Sequence, residues 1–133
     1  MTATALDHVN IVASDLDRSA AFYAAVLELD RRDGPPPLRA DKVQWLHDAS
    51  GRAIIHLVVA EMVADIIRPA VPGPHTGAIH HVAFDCADHA GTVARLEALG
   101  VAYETREVSS IALRQVFIAD PGGVLLELNF RGD

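Results

Sequence analysis

Cysteine is almost missing from this chain: Cys86 is the only one in 133 residues. A single thiol closes no internal disulfide, and a structural zinc site, which usually completes its tetrahedron with thiolates, finds too few of them here. Such usage suits a reducing cytoplasm, and in its apolar run Cys86 is expected to behave as a small buried hydrophobe. Positive charge is also in short supply. Eleven Lys and Arg face 18 Asp and Glu, for a net charge of −7, without the basic patch by which nucleic acid or an anionic membrane surface is recognised. No apolar run approaches the length of a membrane span, and Met1-Thr2-Ala3-Thr4-Ala5 has neither the basic nor the apolar region of a secretory signal. These absences argue for a cytoplasmic protein whose partners are small molecules or a second copy of itself, with no nucleic acid and no membrane.

What the chain does have is a hydrophobic content of 50%, ample for one core, and a repeat. Leu6-Asp7-His8-Val9-Asn10-Ile11-Val12 returns as Ile79-His80-His81-Val82-Ala83-Phe84-Asp85; His81 follows His8, and Asp88 follows Asp15, by the same 73 positions. A unit found twice points to two copies of one supersecondary motif. The reading along the chain agrees. Leu6 to Val12 reads as a strand, and a helix capped by Ser14 or Asp15 follows, with Phe22, Tyr23, Val26 and Leu27 on one face. A short strand near Arg31 breaks into the Gly34-Pro35-Pro36-Pro37 loop, a candidate flap. Strands at Lys42 to His47 and Ala53 to Val59 complete the first half. The second half repeats the order: strand Ile79 to Cys86, helix Ala90 to Leu99 closed by Gly100, strands Val101 to Val108 and Ile111 to Ile118, the Asp120-Pro121-Gly122-Gly123 turn, and strand Val124 to Phe130. The expected fold is α+β: a single domain over residues 1–133, with module 1 at about 5–60, a Pro- and Gly-rich linker at about 61–78 and module 2 at about 79–131.

Each module's fourth strand carries one conspicuous polar residue, His56 among Ile54-Ile55 and Leu57-Val58-Val59, and Glu127 among Val124-Leu125-Leu126 and Leu128-Asn129. A carboxylate buried in such a run must be paired, protonated or bound to a cation. With His8 and His81 from the first strands, three imidazoles and a carboxylate come from matched positions, a donor set that suits first-row divalent metals. Taken singly, each has a plainer explanation: a lone His in an apolar strand is commonly a hydrogen-bonded core residue, and Glu127 could face solvent on an edge. The joint pattern is what points to a metal. His47, His75, His80 and His89 fall at strand ends, the linker or a helix start; His80 should point opposite to His81 by strand alternation, and Asp7 and Asp85 read as ordinary polar positions.

Leu6-Asp7-His8-Val9, followed by Asp15-Leu16-Asp17-Arg18-Ser19-Ala20-Ala21-Phe22-Tyr23, resembles the opening motif of the vicinal oxygen chelate superfamily (glyoxalases, extradiol dioxygenases, bleomycin-resistance proteins), and Asp120-Pro121-Gly122-Gly123-Val124-Leu125-Leu126-Glu127 resembles its closing one. The resemblance implies two βαβββ modules curled into a half-open barrel, a homodimer, and a divalent ion (Fe, Mn, Ni, Co or Zn) on His8, His56, His81 and Glu127. It further implies a metal-dependent isomerase, lyase or epimerase acting on a small oxygen-chelating substrate, with Glu127 and His56 as catalytic groups. Two alternatives accompany it. One is an Fe(II) extradiol-type dioxygenase in which His56 carries a proton; the other is a metal-free, bleomycin-resistance-like binding protein. Departures from the family patterns are informative: Val12 stands where glyoxalase I carries a glutathione-binding Arg, Ala60 where it has Asn, and Phe117 near the place of the dioxygenase Tyr. Arg106 and Arg114 are the available cations for a phosphonate pocket of the fosfomycin-enzyme type.

Overall fold

The computed structural model describes residues 4–62, 77 and 79–132, and its chain divides into two compact units, Met1–Gly73 and Pro74–Asp133. The first unit runs β1 (Val9–Ala13), α1 (Leu16–Val26), β2 (Asp30–Asp33), β3 (Val43–His47) and β4 (Ala53–Val59). Its sheet has the order β1-β4-β3-β2, with β1 parallel to β4 and the other pairs antiparallel. The second unit runs β5 (Val82–Cys86), α2 (His89–Leu99), β6 (Glu104–Val108), β7 (Leu113–Ala119) and β8 (Leu125–Arg131), with the matching order β5-β8-β7-β6. The fold is α+β, built from two βαβββ modules, as expected. Most of the expected linker lies outside the described residues.

Period-two alternation divides each strand between two faces. In the first unit Ile11, Ala13, Leu46, Ile55 and Leu57 are buried on the face that α1 covers with Leu16, Ala20, Tyr23 and Val26. Arg31 ties the two layers together, donating to Asp17 on α1 and, 2.7 Å away, to the side chain of Gln44. On the far face Val43 and Val58 form a smaller buried cluster with Val12, Leu38, Trp45 and Met62. Leu38 brings the proline loop onto this face, where a Cβ on Gly34 would meet it at 2.9 Å. The loop expected to act as a flap therefore packs beside Trp45.

The helices start where short side chains satisfy their first N–H groups. Asp15 accepts from the N–H of Arg18 and Asp88 from that of Gly91, both at N-cap positions. The β3–β4 and β7–β8 turns are copies of one device. Asp48 Oδ1 accepts from the backbone of Ser50 and Arg52 at 2.9 and 3.0 Å; Asp120 Oδ1 accepts from Gly122 and Val124 at 2.9 and 2.8 Å. Gly51 and Gly123 close these turns, each at φ +88°, a conformation L side chains rarely adopt.

Several element ends shift from the sequence reading, among them β6 at Glu104 for Val101 and β7 at Leu113 for Ile111, and two of the shifts bear on the site. The first strands begin at Val9 and Val82, so His8 and His81 stand just before them and not within them. The backbone there makes no ladder, so strand alternation does not govern where these rings point.

Candidate metal centre

The parallel pairings set His56 opposite Asn10 and Glu127 opposite Ala83. Each opposing residue lies two positions past the module's leading histidine, so His8 with His56, and His81 with Glu127, stand at the same register in their own units. Continuing across each sheet, Trp45 pairs with His56 and Phe117 with Glu127. Each unit thus brings one pair of the expected residues together.

In the first unit the three rings form a stack. His8 lies 3.8 Å from His56 with planes 13° apart, and His56 lies 3.9 Å from Trp45 with planes 7° apart. Half-buried His56 is held below the ordinary imidazole pKa, first by desolvation and then by the neighbouring His8. Its ring is therefore neutral at pH 7, with a nitrogen lone pair available. An imidazole lone pair lies in the ring plane, so two nearly parallel rings do not aim at one point. As stacked, one of the two can ligate and the other stands beside it. Asp7 accepts from His8 Nδ1 at 2.6 Å, and this bond is the main reason that its carboxyl titrates below the usual range. A histidine donating from Nδ1 presents Nε2 as the acceptor.

In the second unit His81 Nε2 lies 3.7 Å from Glu127 Oε1. This is too long for a hydrogen bond, yet within the span of about 4.2 Å open to two ligands that each sit roughly 2.1 Å from one ion. The second ring nitrogen, His81 Nδ1, is 2.9 Å from His80 Nδ1. Asp7 and His80 occupy the same place in the two repeats, and each holds the Nδ1 of the histidine after it. The sequence reading passes over both, His80 because strand alternation turns it away from His81 and Asp7 as an ordinary polar position. Glu127 Oε2 accepts from Asn129 Nδ2 at 3.0 Å, and Asn129 Oδ1 accepts from Gln115 Nε2 at 3.1 Å. The carboxylate is half-buried and paired, as its apolar surroundings require. Gln115 and Asn129 were missed because only the β7–β8 register makes them neighbours.

Other expectations resolve simply. Arg106 pairs across the ladder with Gln115, and Arg114 directly precedes Gln115 on β7, so the two arginines leave opposite faces of the sheet and make no common cationic pocket. Val12 packs on the Val43–Val58 cluster, and Tyr103 donates to Glu97 on α2. His89 sets its ring edge-on to Phe130. Among the described residues, no three His, Cys, Asp or Glu side chains gather closely enough to hold an ion as they stand, and no helix is long and apolar enough to cross a membrane.

Comparison with known proteins agrees with this architecture. Glyoxylase I 4 of Arabidopsis thaliana is 28% identical over 128 residues, 94% of this chain and 70% of its own length. A lactoylglutathione lyase from Agrobacterium tumefaciens superposes with a TM-score of 0.67 at 22% identity, covering 98% of this chain and 96% of that one. A glyoxalase/dioxygenase from Nostoc punctiforme gives 0.72 at 22% identity, over 97% and 92% of the two chains. Residues 5–128, nearly all of both βαβββ units with their matched leading histidines, fit one family description, and the chain belongs to the Glyoxalase/Bleomycin resistance protein/Dioxygenase superfamily.

Proposed function

We propose that this protein is a divalent-metal-dependent enzyme that acts on a small substrate through two neighbouring oxygens, as an isomerase, lyase or epimerase. The observation that carries the reading is the equal register of His8 with His56 and of His81 with Glu127, one donor pair per unit. The donor chemistry fits the ion: imidazoles and one carboxylate suit Fe, Mn, Ni, Co or Zn and leave positions open. His8, His81 and Glu127 would hold it, each histidine through Nε2 because Nδ1 is engaged by Asp7 or His80. When bound, the ion acts as a Lewis acid on the substrate oxygens.

The remaining work falls to the chain's own side chains. His56, neutral and stacked between His8 and Trp45, accepts or returns a proton at a ring nitrogen. Trp45 stacks on His56, and Phe117 stands opposite Glu127 on the neighbouring strand, so each of these two residues has an aromatic flank. Val12 supplies no cation where glyoxalase I uses Arg to hold glutathione, which speaks against a glutathione adduct as the substrate. The same ring stack favours one second reading. A set of two histidines and one carboxylate with a separate proton-carrying histidine also matches an Fe(II) ring-cleaving dioxygenase. Oxygen uptake with catechols after anaerobic iron loading separates the two.

The direct test is elemental analysis of protein purified without a His-tag, for the wild type and for Glu127→Gln. Close to one divalent ion per chain, lost in the variant, supports the reading. Absence of metal from the wild type, or unchanged content in the variant, overturns it in favour of a metal-free binding protein. Sedimentation over a dilution series checks the homodimer that we also propose.

A further inference from the structure

At one matched and buried pair of positions the two units differ in polarity. Two residues before Trp45 and two after His56 stand Val43 and Val58, opposite one another and buried; the counterparts before Phe117 and after Glu127 are Gln115 and Asn129, also opposite and each only 8% exposed. Burying two amides costs more than burying two valines unless their hydrogen bonds are made. Here they are made in one direction. Because Asn129 Oδ1 takes the Gln115 N–H, its Nδ2 is turned to Glu127 Oε2, while Oε1 of the same carboxylate faces His81. We infer that Asn129, itself oriented by Gln115, is a positioning residue that occupies one oxygen of Glu127 and reserves the other for a cation. The inference rests on the reading of Glu127 as a cation-binding carboxylate. It adds a reason why the chain accepts buried amides at a site its own first half fills with hydrocarbon. A carboxylate confined to one oxygen takes a single place around an ion, and a substrate offering two oxygens needs the places left over.

Affinity for Co²⁺ alone, measured by competition with a chromophoric chelator, tests this without a substrate. Asn129→Val is compared with the wild type, with Glu127→Gln and with the double variant, each apoprotein first checked by thermal denaturation. Gln115→Val/Asn129→Val, which copies the Val43–Val58 pair, replaces the single variant if a lone buried Gln115 prevents folding. Removing both partners of a buried hydrogen bond in favour of apolar groups is close to neutral for stability. Expected is a loss in Co²⁺ affinity of about 10- to 100-fold from Asn129→Val, the usual effect of deleting a group that orients a ligand. Little or no additional loss is expected when Glu127 is already Gln. Wild-type affinity in the valine variants alongside a weakened Glu127→Gln overturns the inference alone. So does a loss that adds in full to that of Glu127→Gln, since Asn129 would then act elsewhere. Wild-type affinity in Glu127→Gln overturns the cation reading itself.

Discussion

His56 lies flat against His8, their ring centres 3.8 Å apart, and that contact ties the protonation of one ring to the presence of the other. Protonating both would set two like charges face to face, and burial already disfavours the charged form of His56.

This gives the first prediction, a pH dependence of stability. In the unfolded chain His56 titrates near 6.5 and in the folded chain below it, so on acidification the unfolded state takes up its proton first. The stabilising contribution is complete above 6.5 and is lost as pH falls through the depressed value. Thermal midpoints of metal-free protein between pH 7.5 and 5 should fall, with a smaller fall in His56→Phe, which keeps a stacked ring but carries no proton. Identical slopes would remove His56 as the cause.

A second prediction concerns Cys86, whose thiol pKa burial pushes up to about 11. Thiolate is the nucleophile, so almost none is present at pH 8. A disulfide reagent such as Ellman's should leave the native thiol nearly untouched and titrate one thiol per chain once guanidinium is added. Fast reaction of the folded protein would contradict the burial.

The turn before β8 supplies the third. Asp120 is 5% exposed and its Oδ1 serves two backbone N–H groups, so Asp120→Ala removes the partner of both in a partly buried turn. A loss of about 2 kcal/mol is expected in urea unfolding. Asp48→Ala, at the exposed counterpart, should cost less because water replaces the lost bonds. Equal effects would show that burial is not what makes the Asp120 turn matter.

Gly100 ends α2 at φ +68° with no atom near the place a Cβ would take. Gly100→Ala therefore meets no clash, only the left-handed backbone, and should cost about 1 kcal/mol on chemical denaturation. No change, or a gain, would mean that the helix end rearranges.

Much of this was legible in the residues alone. The apolar run located Ala53 to Val59 to the residue, and Asp15 and Gly100 announced the helix ends. The chemistry around those positions was less readable, because it depends on which strand lies beside which. The stack of His56 on Trp45 needs the β3–β4 register, and the Gln115–Asn129 bond needs that of β7–β8. His80 is passed over by a rule of strand geometry that does not hold before β5 begins at Val82, and Asp7 because nothing in the sequence alone marks it. Glu127 was recognised as costly in hydrocarbon, but the partner that relieves the cost sits two residues further on and comes into reach only through side-chain geometry.

The contrast between Val43–Val58 and Gln115–Asn129 bears on how a doubled motif diversifies. Two copies with one strand register need not carry the same chemistry: at this matched place one holds a hydrocarbon pair and the other a hydrogen-bonded pair of amides. Traffic of just two side chains between the copies would be enough to redraw that division.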